Sequence, residues 1–283
     1  MDGIIVVNKP KGITSRDVVN KACKLLNTKK IGHTGTLDPI ATGVLVLCVG
    51  KATKLVEVLT KNDKEYIATV KLGILTDTLD TDGTIIEKKQ ASLDKNELEN
   101  VLKSFIGMYN QEVPIYSAVK INGKKLYEYA REKKEVTLPK RMVEIKDIKL
   151  LELNNNYYKF KVSVSKGTYI RSLIKDINEK LRVIGVMSDL IRTRQGKFLI
   201  NDSNSLEDME NGNYNVLTIT DVLKDENCVI IDSTLFKKVK NGAIINNKYN
   251  TDMVTFIYKD NVIAIYKTYD KDKNKMKPYK MFI

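Results

Sequence analysis

The sequence predicts an α+β fold in which strands with antiparallel pairing are interleaved with amphipathic helices and followed by a small β-rich domain. Three observations predict it. Lys140–Leu153 and Tyr157–Val164 alternate apolar and polar side chains and lie close enough in sequence to pair as antiparallel neighbours. Segments of helical periodicity are scattered among such strands instead of being grouped. After the polar stretch Asn201–Asn215 the pattern changes to short β-branched runs ending in a Lys/Asp-rich tail.

Taken in order, Gly3–Val7 is a β-branched run closed by Asn8-Lys9-Pro10-Lys11-Gly12, a strand and then a turn. Ser15 is the expected cap of a helix carrying Val18, Val19, Ala22, Leu25 and Leu26 at helical spacing. Residues 31–43 read as a long Gly/Thr/Pro loop, and Val44–Val49 as a buried strand. A helix over Lys51–Thr60 and an alternating strand over Tyr66–Leu72 follow. Ser92–Phe105 reads as a capped amphipathic helix, Ser117–Ile121 as a strand turning at Asn122-Gly123, and Thr168–Leu181 as a helix capped by Thr168. Asn201–Asn215 is the expected inter-domain boundary region, with strands Cys228–Ile231, Val254–Tyr258 and Val262–Tyr266 beyond it.

The composition excludes several chemistries. Of 283 residues one is histidine, His33, so no paired-imidazole zinc or iron site can form. Cys23, Cys48 and Cys228 are far apart and predict reduced thiols without metal. No apolar run approaches the roughly 18 residues of a membrane helix, and the N-terminal residues lack a signal-peptide pattern, which predicts a cytoplasmic protein. The net charge of +13 is unevenly placed: residues 120–146 carry nine basic and four acidic side chains, residues 61–100 six and nine. A segregated positive face predicts a nucleic-acid partner.

Nucleotide and calcium motifs fail on inspection. Gly50-Lys51 lacks the P-loop partners, because Leu45 and Ala52 stand where Gly and Ser/Thr are required. Gly32 and Gly35 do not make a dinucleotide fingerprint. The run Asp80-Thr81-Asp82-Gly83 would put Lys89 at the position of a bidentate calcium ligand. No cofactor is therefore expected. What remains is the segment 31–45, where His33 and Asp38 sit five residues apart in a Gly-rich loop before a buried strand. By itself it is equally compatible with an Asx turn at Asp38-Pro39 and an idle loop histidine.

That segment, Gly-His-Thr-Gly-Thr-Leu-Asp-Pro-Ile-Ala-Thr-Gly-Val-Leu from Gly32 to Leu45, resembles the active-site motif of the TruB family of bacterial tRNA pseudouridine-55 synthases. Further resembling segments follow in order: Asn8–Gly12, Lys64–Tyr66, Thr76–Gly83, Val113–Lys120, Gly123–Arg131 and Lys166–Arg171. Together they span roughly residues 3–200. Val113-Pro114 stands where the family usually has Pro-Pro, Arg141-Met142 where it has Arg-Pro, and Gly185–Leu190 diverges.

The resemblance implies a pseudouridine-synthase fold with a catalytic domain over 1–225, an RNA-clamping insertion at about 110–146, and a PUA-like RNA-binding domain over 226–283. It implies Asp38 as the essential aspartate, acting as nucleophile or electrostatic partner, with covalent and glycal routes both open. Arg171 is expected to pair with Asp38 and keep it ionised, and Asp80 to extend that network. Tyr66 would stack on the target base and can move a proton, while Tyr169 and Leu190 would line the pocket. His33 would fill the gap left by a flipped base. The implied partner is the T-arm stem-loop of tRNA, bound by a cytoplasmic monomer with no obligatory protein partner and no membrane. Two rivals are a guide-RNA-dependent dyskerin-type synthase and a non-catalytic RNA-binding or RNA-folding protein.

Overall fold

The computed structural model describes residues 1–224 and 227–283. The expected division between residues 225 and 226 lies outside the described residues. The chain opens with β1 (Gly3–Lys9), α1 (Ser15–Leu25), β2 (Ile31–His33), β3 (Thr42–Val49), α2 (Val56–Thr60) and β4 (Lys64–Leu72). It continues through a hairpin of β5 (Ile74–Thr76) and β6 (Ile85–Lys88), then α3 (Lys95–Lys103) and β7 (Gly107–Glu112). A short hairpin, β8 (Lys120–Ile121) and β9 (Lys124–Lys125), leads into α4 (Leu126–Arg131). Next come β10 (Lys140–Leu153), β11 (Tyr157–Val164), α5 (Ile170–Lys180), β12 (Gly185–Gln195), β13 (Phe198–Leu199), α6 (Leu206–Glu210) and α7 (Ile219–Leu223). The last part holds β14 (Cys228–Ile230), α8 (Ser233–Lys240), β15 (Ile245–Asn246), β16 (Met253–Tyr258), β17 (Asn261–Tyr269) and β18 (Asp272–Met281).

Among the described residues nine strands form one sheet in the order β1-β3-β12-β4-β11-β10-β7, with β2 added to β3 and β13 to β12. Every pairing is antiparallel except β12 with β3, where Ile191 faces Thr42 and Arg192 faces Gly43. The β10–β11 pairing matches expectation, with Ile148 opposite Val162 and Leu150 opposite Phe160. One apolar core lies between this sheet and α3 and α5, built on Tyr158, Phe160, Leu173 and Ile177. A second packs α1 on β1 and β3. The C-terminal strands form a separate sheet, β14-β16-β17-β18-β15. It is joined to the main one by an apolar cluster that includes Ile4, Val46, Ile265 and Phe282. The fold class is thus α+β with a mixed, largely antiparallel sheet and a smaller β unit at the end.

Several local expectations are corrected. Thr14, not Ser15, caps α1: its hydroxyl accepts from the Asp17 N–H while Asp17 accepts from the Thr14 N–H. Thr168 does not cap α5; Tyr169 holds that position without a side-chain cap, and Thr168 Oγ1 instead donates to the Ser165 carbonyl. His33 ends a strand opposite Leu47 and is not in the loop. Residues 50–55 form a 3₁₀ turn before α2, and α3 begins only after its cap Asp94. The expected strand over Ser117–Ile121 shrinks to the two residues of β8. The polar stretch 201–215 is tied to the main sheet, because Asn204 exchanges backbone hydrogen bonds with Val6 and Asn8. The sequence pattern does not predict β18 or α8, because lysines crowd both segments.

The basic 120–146 stretch divides in two. Its C-terminal end is part of β10, paired with β7 in the main sheet. The remainder projects as the β8–β9 hairpin, α4 and the following loop. There Lys125 and Arg131 lie against the Tyr127 ring, 5.3 and 5.2 Å from its centroid, and Lys134 pairs with Glu132 at 3.0 Å.

Candidate active site

Asp38 sits in a loop that is fastened from three sides. Beneath it, Ser15 uses its hydroxyl to accept from the Leu37 N–H at 2.8 Å and to donate to the Leu37 carbonyl at 3.2 Å. Freed from capping by Thr14, this buried hydroxyl pins the loop to the start of α1. Behind it, the buried Lys9 ammonium donates to the carbonyls of Pro10, Ile13 and Pro39 at 2.8, 2.7 and 3.3 Å. Burial draws the Lys9 pKa down to about 8, against the pull of the Asp38 charge. On the third side, fully buried Arg192 on β12 donates to the carbonyls of Val44 and Gly35 at 2.6 and 3.0 Å. Gly43 makes that crossing possible: its φ is +98°, and a Cβ there would stand 2.3 Å from the Arg192 carbonyl oxygen.

Arg171, the second residue of α5, reaches Asp38 with two prongs: Nε lies 3.0 Å from Oδ2, and Nη2 donates to Oδ1 at 3.1 Å. A cation in the first turn of a helix is opposed by the macrodipole, so this guanidinium is held by its partners. Nη2 also donates to the Tyr116 carbonyl and Nη1 to the Thr78 carbonyl, each at 3.0 Å. Asp80 stands behind, 3.8 Å from Nη1, with its Oδ1 accepting from the Thr78 hydroxyl and the Asp82 N–H. Burial pushes the Asp80 carboxyl above its ordinary range, against the Thr78 hydrogen bond and the Arg171 charge. Leu79, between Thr78 and Asp80, adopts a left-handed φ of 64°, which folds the turn back onto Met187 of β12. The Arg171 side chain is 6% exposed and that of Asp38 32%, so the arginine is structural ballast and the carboxylate opens outward.

Asp38 opens into a cavity of about 350 Å³ whose wall includes Tyr66, Tyr116, Tyr169, Arg171 and Leu190. The structure therefore brings together five of the seven residues singled out from sequence. Tyr66 and Leu190 project from β4 and β12, both buried. Tyr169 lies at the head of α5 with the Arg141 guanidinium 5.6 Å from its ring centroid. Asp80 does not line the cavity and meets it only through Arg171. His33 is also outside this wall; burial, then the charges of Arg16 and Arg192, lower its pKa and keep the ring neutral near pH 7. Sequence reasoning missed Ser15, Thr78, Tyr116 and Gln111. Most of these act through backbone carbonyls or amides, which residue types do not advertise. Among the described residues no cluster of His, Cys, Asp and Glu could hold a metal ion, and no helix is long and apolar enough to cross a membrane.

A carboxylate gripped by a buried arginine, facing an aromatic and aliphatic hollow, can stabilise a developing cation or attack an electrophilic carbon. The profile of the TruB family pseudouridylate synthase N-terminal domain matches residues 23–170. The tRNA pseudouridine synthase B of Bacillus cytotoxicus is 40% identical over 300 residues, covering 100% of this chain and 98% of that protein. Its namesake from Bacillus subtilis (strain 168) is 41% identical over 303 residues with the same coverage. Among solved structures, a chain of a Cbf5–Nop10–Gar1 complex superposes with a TM-score of 0.72 at 28% identity, covering 94% of this chain and 78% of that one. A chain of an H/ACA RNP bound to a substrate RNA containing 2′-deoxyuridine gives 0.74 at 25% identity, covering 99% and 85%.

Proposed function

This chain belongs to the TruB family of pseudouridylate synthases, and on that premise we propose that it converts uridine 55 in the T loop of tRNA to pseudouridine, acting alone as a cytoplasmic monomer without a cofactor. The observation that carries this reading is the two-pronged Arg171–Asp38 pair at the mouth of a cavity walled by Tyr66, Tyr169 and Leu190.

The reaction is an isomerisation. The N1–C1′ bond breaks, the uracil turns, C5 joins C1′, the C5 proton leaves and N1 takes one up. Atoms and charge balance with no outside reactant. Asp38 supplies the negative charge that such a cleavage requires, either by bonding to carbon or by stabilising the sugar as it becomes cationic. Arg171 holds the carboxylate aimed. In this reading Tyr66, which lines the cavity, stacks on the base and shuttles the C5 proton. Tyr169 and Leu190 keep water out, and Asp80 steadies Arg171 from behind. The target uridine must leave its stack to enter, at a cost of about a few kcal/mol, and His33 fills the gap.

In the same reading residues 1–225 carry the chemistry and 226–283 form a PUA-like RNA-binding domain. The projecting part of the insertion brings its cation-bearing side chains to the phosphates. Tyr127 of that insertion reaches the cavity wall, which supports a clamp that closes directly over the site.

Incubating the purified chain with an unmodified T-arm stem-loop and mapping the product by carbodiimide chemistry tests the proposal. Pseudouridine at position 55 alone is the expected outcome. No product without a guide RNA would overturn it in favour of the guided mode of the H/ACA assemblies. Binding without product would favour an RNA-folding role.

A further inference from the structure

Tyr169 presents a puzzle that the reaction chemistry leaves open. It is the N-cap residue of α5, immediately before the first helical residue Ile170, it follows a turn containing Gly167 at φ 83°, and its own side chain makes no capping hydrogen bond. Its ring lines the cavity, and although its carbonyl accepts the first bond of α5 from the Leu173 N–H at 3.0 Å, its N–H lies ahead of the helix and takes no partner from it. Gln111 holds it. This fully buried residue on β7 accepts from the Tyr169 N–H through Oε1 at 2.7 Å and donates from Nε2 to the Tyr169 carbonyl at 3.1 Å. The side-chain amide thus stands in for a neighbouring strand, pairing both backbone groups of one residue 58 positions away.

The two hydrogen bonds also fix which way the amide faces, because only one orientation satisfies both. Its remaining Nε2 hydrogen is donated to the Tyr109 hydroxyl, which in turn meets the Asp176 carboxylate on α5. The ring of Tyr109 packs edge-on against Phe105 with centroids 5.5 Å apart. Beside this chain, Lys175 of α5 donates to Glu112 of β7 at 3.2 Å. The start of α5 is therefore registered against the edge strand of the sheet by a short, fully directed polar chain. The same helical turn carries Arg171.

We propose that Gln111 is a positioning residue for the reaction, acting through the Tyr169 backbone to set the Tyr169 ring against the substrate; this rests on the function proposed above. Reacting groups displaced by about 1 Å can lose on the order of 10²-fold in rate, so a partial release should register in turnover before it registers in binding.

The test replaces Gln111 by Met, which keeps the volume and removes both hydrogen bonds. Turnover on the T-arm stem-loop should fall by roughly 10-fold, with KM within about twofold of the unsubstituted chain. In a Tyr169→Ala background the same substitution should cost less than about twofold, because the ring it positions is gone. Amide exchange at Tyr169 should quicken by roughly 10-fold. Unchanged turnover, or an equal loss in both backgrounds, would overturn the proposal. Should Gln111→Met fail to fold, Gln111→Glu, which removes both Nε2 donors, and Tyr109→Phe, which removes the hydroxyl between Gln111 and Asp176, serve in the same cycle. The exchange measurement needs no activity. An unsubstituted chain that makes no pseudouridine defeats the functional reading alone, whereas unaltered Tyr169 exchange defeats the Gln111 claim alone.

Discussion

The Arg171 guanidinium approaches Asp38 along both carboxylate oxygens, at 3.0 and 3.1 Å, from the first turn of a helix 133 residues further along the chain. That guanidinium also donates to the Thr78 and Tyr116 carbonyls, and Asp80 stands 3.8 Å behind it. The arginine is therefore a fixed mount, and the exposed part of the pair is the carboxylate. This division of labour decides what each substitution should do.

Asp38→Asn keeps the shape of the loop and removes the charge. Pseudouridine formation should fall by at least about 10³-fold, while stem-loop affinity stays within about twofold of the unsubstituted chain. Single-turnover product mapping and filter binding measure the two. Retained product would remove Asp38 from the chemistry.

Arg171→Lys preserves charge and loses the fork. The Thr78 and Tyr116 carbonyls lose their donors and Asp80 is left near an ill-fitting ammonium. Stability in urea should drop by about 2–3 kcal/mol, and turnover should fall with it. An unfolding midpoint equal to that of the unsubstituted chain would mean the arginine is not the mount described.

Ser15→Ala tests the loop without touching the cavity. The Leu37 N–H would be left buried without an acceptor, at a cost of about 1–3 kcal/mol. Thr14 still caps α1, so helix content should be unchanged by circular dichroism while turnover declines. A loss confined to helix content would point back to capping by Ser15.

The acid range reports Asp176. Burial, then the nearby Glu179 charge, raises its pKa from the ordinary carboxylate range to about 6. The folded state consequently holds this proton more tightly than the unfolded state. Its contribution to stability is fully present below the unfolded pKa and is lost as pH rises through about 6. Asp176→Asn should flatten the stability curve between about pH 4 and 6 relative to the unsubstituted chain, as measured by urea titration at each pH. Lys9 and Lys64, both lowered to about 8 by burial, titrate outside that window. Identical slopes in the two proteins would rule Asp176 out as the source.

RNA affinity should weaken with salt, with a log–log slope of about −0.7 per phosphate neutralised on single-stranded segments. Replacing Lys120, Lys133 and Lys140 together by Gln should make the slope shallower. A salt-independent affinity would remove the electrostatic clamp from the account.

The strands that alternate cleanly, β4, β10 and β11, were legible because one face of each is buried, and burial writes a period of two into the residues. β18 was not legible, since Lys273, Asn274 and Lys275 are exposed and only Met276 is buried within it. Thr14 and Ser15 show the same limit at a single site. Either hydroxyl could cap α1, and the choice depends on which one the Leu37 backbone claims.

By itself the sequence determined the kind of chemistry: one histidine, no metal-ligand cluster, a segregated positive charge, and a Gly-rich segment around Asp38 that resembles one enzyme family. These are properties of residue type and short-range order, which a linear chain carries openly. The Arg171–Asp38 pair was expected from the resemblance, but only the tertiary structure decided its two-pronged geometry, that His33 lies off the cavity wall, and that Gln111 takes both backbone groups of Tyr169. Such contacts depend on strand register and on where buried backbone groups find partners. Those are set by packing across the whole sheet, not by any segment alone.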